Sequence, residues 1–441
     1  MAAVLSVFML YLIVAKTFDL DIGLGPGLSL KNGILYLLLT AILMMYAVRR
    51  DFKLQLGGIF GSFALLIGYA VFSTAIVAMF VQYPGYKLLN AFIQLKGLPF
   101  DFMAFFFVYF YGLRTRRDVM TVLYSSLAIV VLVNVVSGLD ALGVLRIDSI
   151  RQGEDDERVQ GIIGEHNQYG AYIAWFLPAL VAMTVSVGKR WRAFWAFGAL
   201  ASFAVLLMTV SRGAFVATLV STLIGAYLFR STLLTPRVGG WLLGVFAAAL
   251  VVAIGLAVTT KFGSLLAERL LGQSADIDLW EVSSGRTELW KDALEQMMRT
   301  PSSLLTGFGW ATYFVLPSSL PLAPHNTYLW YWFELGIPGV LLFIMIFVRL
   351  ILVAAREAAA SAGSTRIHLV GFAIGTIALM VAIFFVELYT PWPYYWAYAG
   401  AIMRLAMIAQ EERASSALQS QGVKAQRVID HFGWAAPLAQ R

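Results

Sequence analysis

Three side chains of this sequence, Arg212, Arg286 and His325, have the types and setting for chemistry on a phosphorylated substrate. A guanidinium binds phosphate oxygens through two parallel hydrogen bonds, and an imidazole exchanges a proton near neutral pH. Arg212 falls between two apolar runs, in Ser211-Arg212-Gly213, where plain snorkelling at an interface is the competing explanation. Arg286 opens an amphipathic stretch, and a cation in the first turn of a helix opposes the macrodipole unless an anion shares the site. His325 stands at the entry of an apolar run, with Asn326 beside it and Tyr328 three residues on along one helical face. His166, in Gly164-Glu165-His166-Asn167-Gln168-Tyr169, is the rival base, with Asn167 as a supporting amide; His325 is preferred. Glu334 is expected about 13 Å below His325 at 1.5 Å per residue. It or Glu387 could be a buried partner, since a carboxylate within a span is a functional candidate by default.

The elements that must position these groups are membrane helices. The chain has 441 residues, of which 60% are hydrophobic and 13% charged, more apolar surface than a soluble fold of that length could bury. Apolar runs near 1–16, 32–48, 57–80, 99–113, 119–139, 168–187, 193–210, 213–229, 240–259, 327–353, 367–388 and 391–409 give about twelve transmembrane helices. The first run lacks a basic start and a cleavage site, so it is expected as a short span and not as a removable signal. The run from Ala193 to Phe229 would extend about 55 Å as one helix, nearly twice the hydrocarbon core, so it must fold back, most naturally at Ser211-Arg212-Gly213.

Every second connector is basic: Arg49, Arg50 and Lys53; Arg114, Arg116 and Arg117; Lys189, Arg190 and Arg192; Arg230 and Arg237; Arg356 and Arg366. The positive-inside rule then puts both termini in the cytoplasm and the three chemical side chains on the outer face. The net charge of +7 reflects this retention and predicts no nucleic-acid partner. The absence of cysteine excludes disulfides and thiolate sites.

The fold class expected is an all-α polytopic membrane helix bundle with a large, partly helical extracytoplasmic loop. Its divisions are 1–259 for helices 1 to 9, 260–325 for the loop, 326–409 for helices 10 to 12, and 410–441 for a cytoplasmic tail. Within the loop, Leu289, Trp290, Ala293, Leu294, Met297 and Met298 form a helical stripe over 286–300, which Ser283 or Ser284 can cap and Pro301 stops. Gly307-Phe308-Gly309-Trp310 and a Pro-rich tract from Pro317 to Pro324 follow, the latter not helical. The acidic run 154–157 reads as a solvated loop. Neither a metal constellation nor a phosphate-cradling or dinucleotide glycine motif is present.

Four stretches, in order, resemble the O-antigen ligase and O-antigen polymerase superfamily of bacterial envelope glycosyltransferases. They are Gly164 to Tyr172 with Pro178; Ser211 to Phe215; Ser284 to Trp290 leading to Gly307-Phe308-Gly309; and His325-Asn326-Thr327-Tyr328 with Glu334-Leu335-Gly336 and Gly339. The resemblance covers roughly residues 160 to 345. It implies a metal-independent enzyme without cofactor that moves a glycan from undecaprenyl diphosphate to the hydroxyl of a glycan or lipid acceptor. The reaction would lie on the periplasmic face of the bacterial cytoplasmic membrane, as polymerase or ligase. By the same resemblance His325 matches the general base, and Arg212 and Arg286 the diphosphate ligands. A transporter or flippase of lipid-linked sugars is the alternative; it fits less well because the polar groups cluster at outer helix ends, with Glu334 the dissenting feature.

Overall fold

A computed structural model describes all residues except 16, 17, 19, 148–157, 234, 261, 266–284, 317–321 and 432–441. The chain is a helical bundle whose strands, among the described residues, are the short hairpin Gly23–Gly25 and Leu28–Ser29. In chain order the helices are α1 (Ala2–Val14), α2 (Leu30–Arg49), α3 (Gly57–Ile76), α4 (Leu88–Leu95), α5 (Asp101–Gly112) and α6 (Arg116–Ala141). Then come α7 (His166–Ser186), α8 (Lys189–Met208), α9 (Arg212–Leu228), α10 (Arg230–Leu233) and α11 (Pro236–Thr259). The last are α12 (Arg286–Arg299), α13 (Ser302–Thr306), α14 (Thr327–Ala360), α15 (Gly363–Ala382) and α16 (Trp392–His431).

Each of the twelve expected spans coincides with a helix. Nine of the described helices are long and apolar enough to cross a membrane; α1 and α9 are shorter apolar helices, and the twelfth span forms the start of α16. Several boundaries differ from expectation. The tenth span runs on past 353 to Ala360, and the eleventh ends at Ala382, short of 388, which leaves Glu387 in the connector that follows. The fourth span starts earlier than 99, because α4 runs into α5 through a π-helical turn, Lys96–Phe100, that accommodates Pro99. The last helix continues to His431, well past 409, with its polar extension tied down by Arg413, which binds Glu357 and donates to Ser361 Oγ (3.0 Å).

The core is aromatic and small-residue packing around α7 and α15. These two helices approach so closely that a Cβ on Gly375 would lie 2.2 Å from the Trp175 carbonyl oxygen, the kind of contact that drives helix association where lipid competes for every apolar surface.

All five basic connectors gather at one end. Arg116 bonds Glu412 (2.9 Å) and Thr365, Arg404 donates to Leu113 O (3.0 Å) and Gln55 Oε1 (3.1 Å), and residues from 185–192, 232–238 and 363–367 line one cavity. The foldback of the long apolar run occurs at Thr209 to Ser211, so Arg212 opens α9 at the opposite end.

Candidate functional site

The opposite end is assembled from four helix starts and one connector. Glu165 caps α7, its carboxylate accepting from Asn167 N (2.9 Å) and Gln168 N (2.6 Å), which satisfies two of the amides that a helix start leaves open. Asn167 then accepts from Ser211 Oγ (3.0 Å), tying the start of α7 to the residue before Arg212. Gln168 accepts from Tyr389 N (2.9 Å), tying it to the connector between α15 and α16.

That connector carries Glu387, whose side chain is only 3% exposed. One of its oxygens accepts from Asn326 N (2.9 Å), and the other lies 3.3 Å from His325 Nδ1. Of the two carboxylates expected as partners of His325, the chain uses Glu387. Asn326 caps α14, accepting from Leu329 N (3.1 Å), and His325 ahead of it adopts φ 48°, a left-handed conformation unusual for a side chain of this size. A backbone held there by its surroundings points to function. It projects the imidazole out of the helix start, 45% exposed, above a buried acid.

Arg286 opens α12 directly after Gly285, which stands at the N-cap with φ 75°; Ser283 and Ser284 lie outside the described residues. The stripe expected on α12 packs through Leu289, Ala293 and Met297, while Met298 faces outward. Trp290 fixes the helix to the histidine, donating from Nε1 to Pro324 O (2.7 Å). Burial holds the Arg286 guanidinium below its ordinary pKa; the carboxylates of Glu165 and Glu387 oppose that fall, and the guanidiniums of Arg212 and Arg158 add to it. Among the described residues, Arg158, Arg212 and Arg286 therefore share one electrostatic neighbourhood with Glu165 and Glu387.

The loop behind the site is keyed into a broken helix. Gly336 interrupts α14 at φ 66° and ψ −168°, and the carbonyls freed by the break are taken up by Phe308 N (to Phe333 O, 2.8 Å) and Gly309 N (to Glu334 O, 2.8 Å). The Glu334 carboxylate accepts from Gln94 Nε2 (2.8 Å) and Tyr313 N (3.3 Å). It thus fastens the loop instead of pairing with His325. Glu334 and Glu387 both border a small cavity walled by Trp310, Trp330, Tyr331 and Tyr389.

The expected site residues therefore separate by role. Arg212, Arg286 and His325 come to one end of the bundle. Asn326 and Asn167 hold helix starts, and Tyr328 donates to Met380 O (2.7 Å), bracing α14 against α15. His166 lies 2.9 Å from Asn167 Nδ2 and 3.5 Å from Glu165, within the α7 cap. Sequence reasoning left Arg158 and Glu165 outside the site. Glu165 had a usable signal, since an acidic residue directly before a helical run is a cap candidate. The acidic run 154–157 beside Arg158 lies outside the described residues. Among the described residues no group of three or more His, Asp or Glu is placed to hold a metal ion.

Residues 197–344 match the family model described as O-antigen ligase. The match supports the O-antigen ligase superfamily, as the sequence motifs imply, and it spans Arg212, Arg286, His325 and Glu334 while leaving out Glu165 and Glu387. No curated protein matches the chain. With the helical architecture, the O-antigen ligase match describes a multi-pass membrane protein of bacterial envelope glycan processing, of glycosyltransferase type, acting on lipid-linked glycans and their acceptors.

Proposed function

We propose that the chain transfers a glycan from undecaprenyl diphosphate to an acceptor hydroxyl on the periplasmic face of the cytoplasmic membrane, without metal or cofactor. The observation that carries this reading is the convergence, at one end of the bundle, of a cationic cluster and a histidine backed by a buried carboxylate. An Nδ1–H donated to Glu387 leaves Nε2 of His325 as the proton acceptor. The acceptor oxygen attacks the anomeric carbon as its proton passes to Nε2. The bond from that carbon to the diphosphate oxygen breaks, and the leaving undecaprenyl diphosphate takes the electron pair. Arg212 and Arg286 stabilise the negative charge that grows on it. A single displacement of this kind inverts the anomeric centre.

The acceptor is a second glycan in a polymerase or a lipid-borne core in a ligase, and both use the same groups. The flippase alternative leans on Glu334, whose carboxylate is engaged by Gln94 and Tyr313, and on the break in α14, whose carbonyls are engaged by the loop. Both features serve to hold the loop over the site.

The test is turnover by purified protein with undecaprenyl-diphosphate-linked oligosaccharide, in chelator and without nucleotide or ion gradient. His325→Ala should lower the rate by about 10²- to 10⁴-fold, the usual worth of a positioned base. Arg286→Ala should lower it by about 10²- to 10³-fold, as for loss of one preorganised donor. Full activity in both well-folded variants would falsify the assignment. Offering repeat-unit donor against lipid A core as acceptor separates polymerase from ligase.

A further inference from the structure

At the end away from the proposed reaction, three long helices begin at the rim of one cavity of about 520 Å³: α8 at Gly188, α11 at Thr235 and α15 at Ala362. None of the three starts has a side-chain cap. Each therefore leaves backbone amides open and turns the positive end of its dipole toward the same space. The first turns add cations where the dipole disfavours them, Lys189 and Arg192 on α8 and Arg366 on α15, and all three line the cavity. Among the described lining residues no carboxylate answers them. Arg192 stacks its guanidinium 5.3 Å from the Trp241 ring, and its buried Nε has no hydrogen-bond partner among the described residues. Arg366 spends two donors on Ala358 O (3.0 Å) and Ala359 O (3.2 Å), which anchors it at the rim.

This combination calls for an anion. The walls say what carries it: Val185, Val187, Val238 and Ile367 line the cavity, and beyond Val238 the outer side of α11 continues as exposed Leu243, Phe246, Leu250 and Ile254. An anion in this pocket thus has an apolar track leading from it along the bundle surface. We propose that the cavity binds the headgroup of an anionic phospholipid, its phosphate at Lys189, Arg192 and the helix starts, and its acyl chains along α11. A basic pocket between helices at the positively charged end of a membrane bundle has the chemistry for such a headgroup. The site is separate from the glycan reaction and does not depend on it.

The experiment is native mass spectrometry of the full-length protein, delipidated in detergent and titrated with phosphatidylglycerol or phosphatidylcholine. One phosphatidylglycerol should be retained per chain, at least tenfold more tightly than phosphatidylcholine. The double variant K189Q/R192Q should weaken that retention by on the order of tenfold or more, at a few-fold per cation removed. R192K should keep most of it, and R299S, at the opposite end, all of it. Thermal melting in detergent identifies any misfolded variant, and K189Q alone, which should weaken retention a few-fold, carries the comparison with R299S if the double variant is lost. Equal retention of phosphatidylcholine, or undiminished retention by well-folded K189Q/R192Q, overturns the proposal. So does displacement by sn-glycerol 3-phosphate at concentrations comparable to the lipid, which would make the ligand a soluble phosphate ester.

Discussion

His325 and Glu387 are 62 positions apart in the chain and 3.3 Å apart in space, and their contact sets what the imidazole can do. In the proposed mechanism the carboxylate holds one ring nitrogen and so leaves the other free for the acceptor proton. Glu387→Gln keeps the shape and an oxygen for Asn326 N, but it loses the charge that stabilises an imidazolium. Its rate should fall by about 10²- to 10⁴-fold with KM little changed, the upper end being the loss seen when the carboxylate that orients a general-base histidine becomes an amide. Steady-state kinetics on the lipid-linked donor provide the check; an unaltered rate removes Glu387 from the mechanism. Arg212 and His325 were legible as chemical candidates because each stands at the edge of an apolar run, and Arg286 because it puts a cation in the first turn of a helix. The choice of Glu387 over Glu334 was not, because it depends on a connector folding back over a helix start. No periodicity encodes that contact.

Helix starts do the positioning at the next scale. Asn326, Glu165, Gly285 and Ser211 each stand at one, and each neighbours a candidate site residue. The break in α14 ties this frame to the loop. At Gly336, a Cβ would sit 2.1 Å from Leu305 O, and the backbone values of φ 66° and ψ −168° are nearly inaccessible to other residues. Gly336→Ala should therefore release the Gly307–Trp310 segment from α14 and destabilise the protein by roughly 1–3 kcal/mol. Thermal melting in detergent and limited proteolysis between 300 and 325 would register the change; an unaltered melt and cleavage pattern means that the segment is held by other contacts. Helix spacing was legible from run lengths alone, including the foldback before Arg212, because hydrocarbon thickness limits each span. The break in α14 was not, since Gly336 and Pro338 sit inside a run long enough to span as one helix, and the amides that satisfy the break come from about 25 residues earlier.

At the scale of the whole molecule, the two ends differ in charge, and that difference is what the proposed orientation rests on. The basic connectors gather at one end, and the cluster around Arg286 and His325 lies at the other. With Lys and Arg retained in the cytoplasm, the proposed reaction would lie outside, where the proposed polyprenyl-linked donor would be met and no nucleotide would be needed. The chain contains no cysteine, so single cysteines can be introduced without background. Phe314 and Leu322, each 58% exposed beside the site, should as cysteines react with a membrane-impermeant maleimide added to spheroplasts. Ala414, exposed on the extension of α16, should as a cysteine react only after the membrane is permeabilised. The reverse pattern would place the cationic cluster in the cytoplasm and exclude a periplasmic transferase. Labelling at all three positions from outside would show that the ends do not lie across a membrane, which would remove the basis for the orientation and for the lipid site at the basic end together.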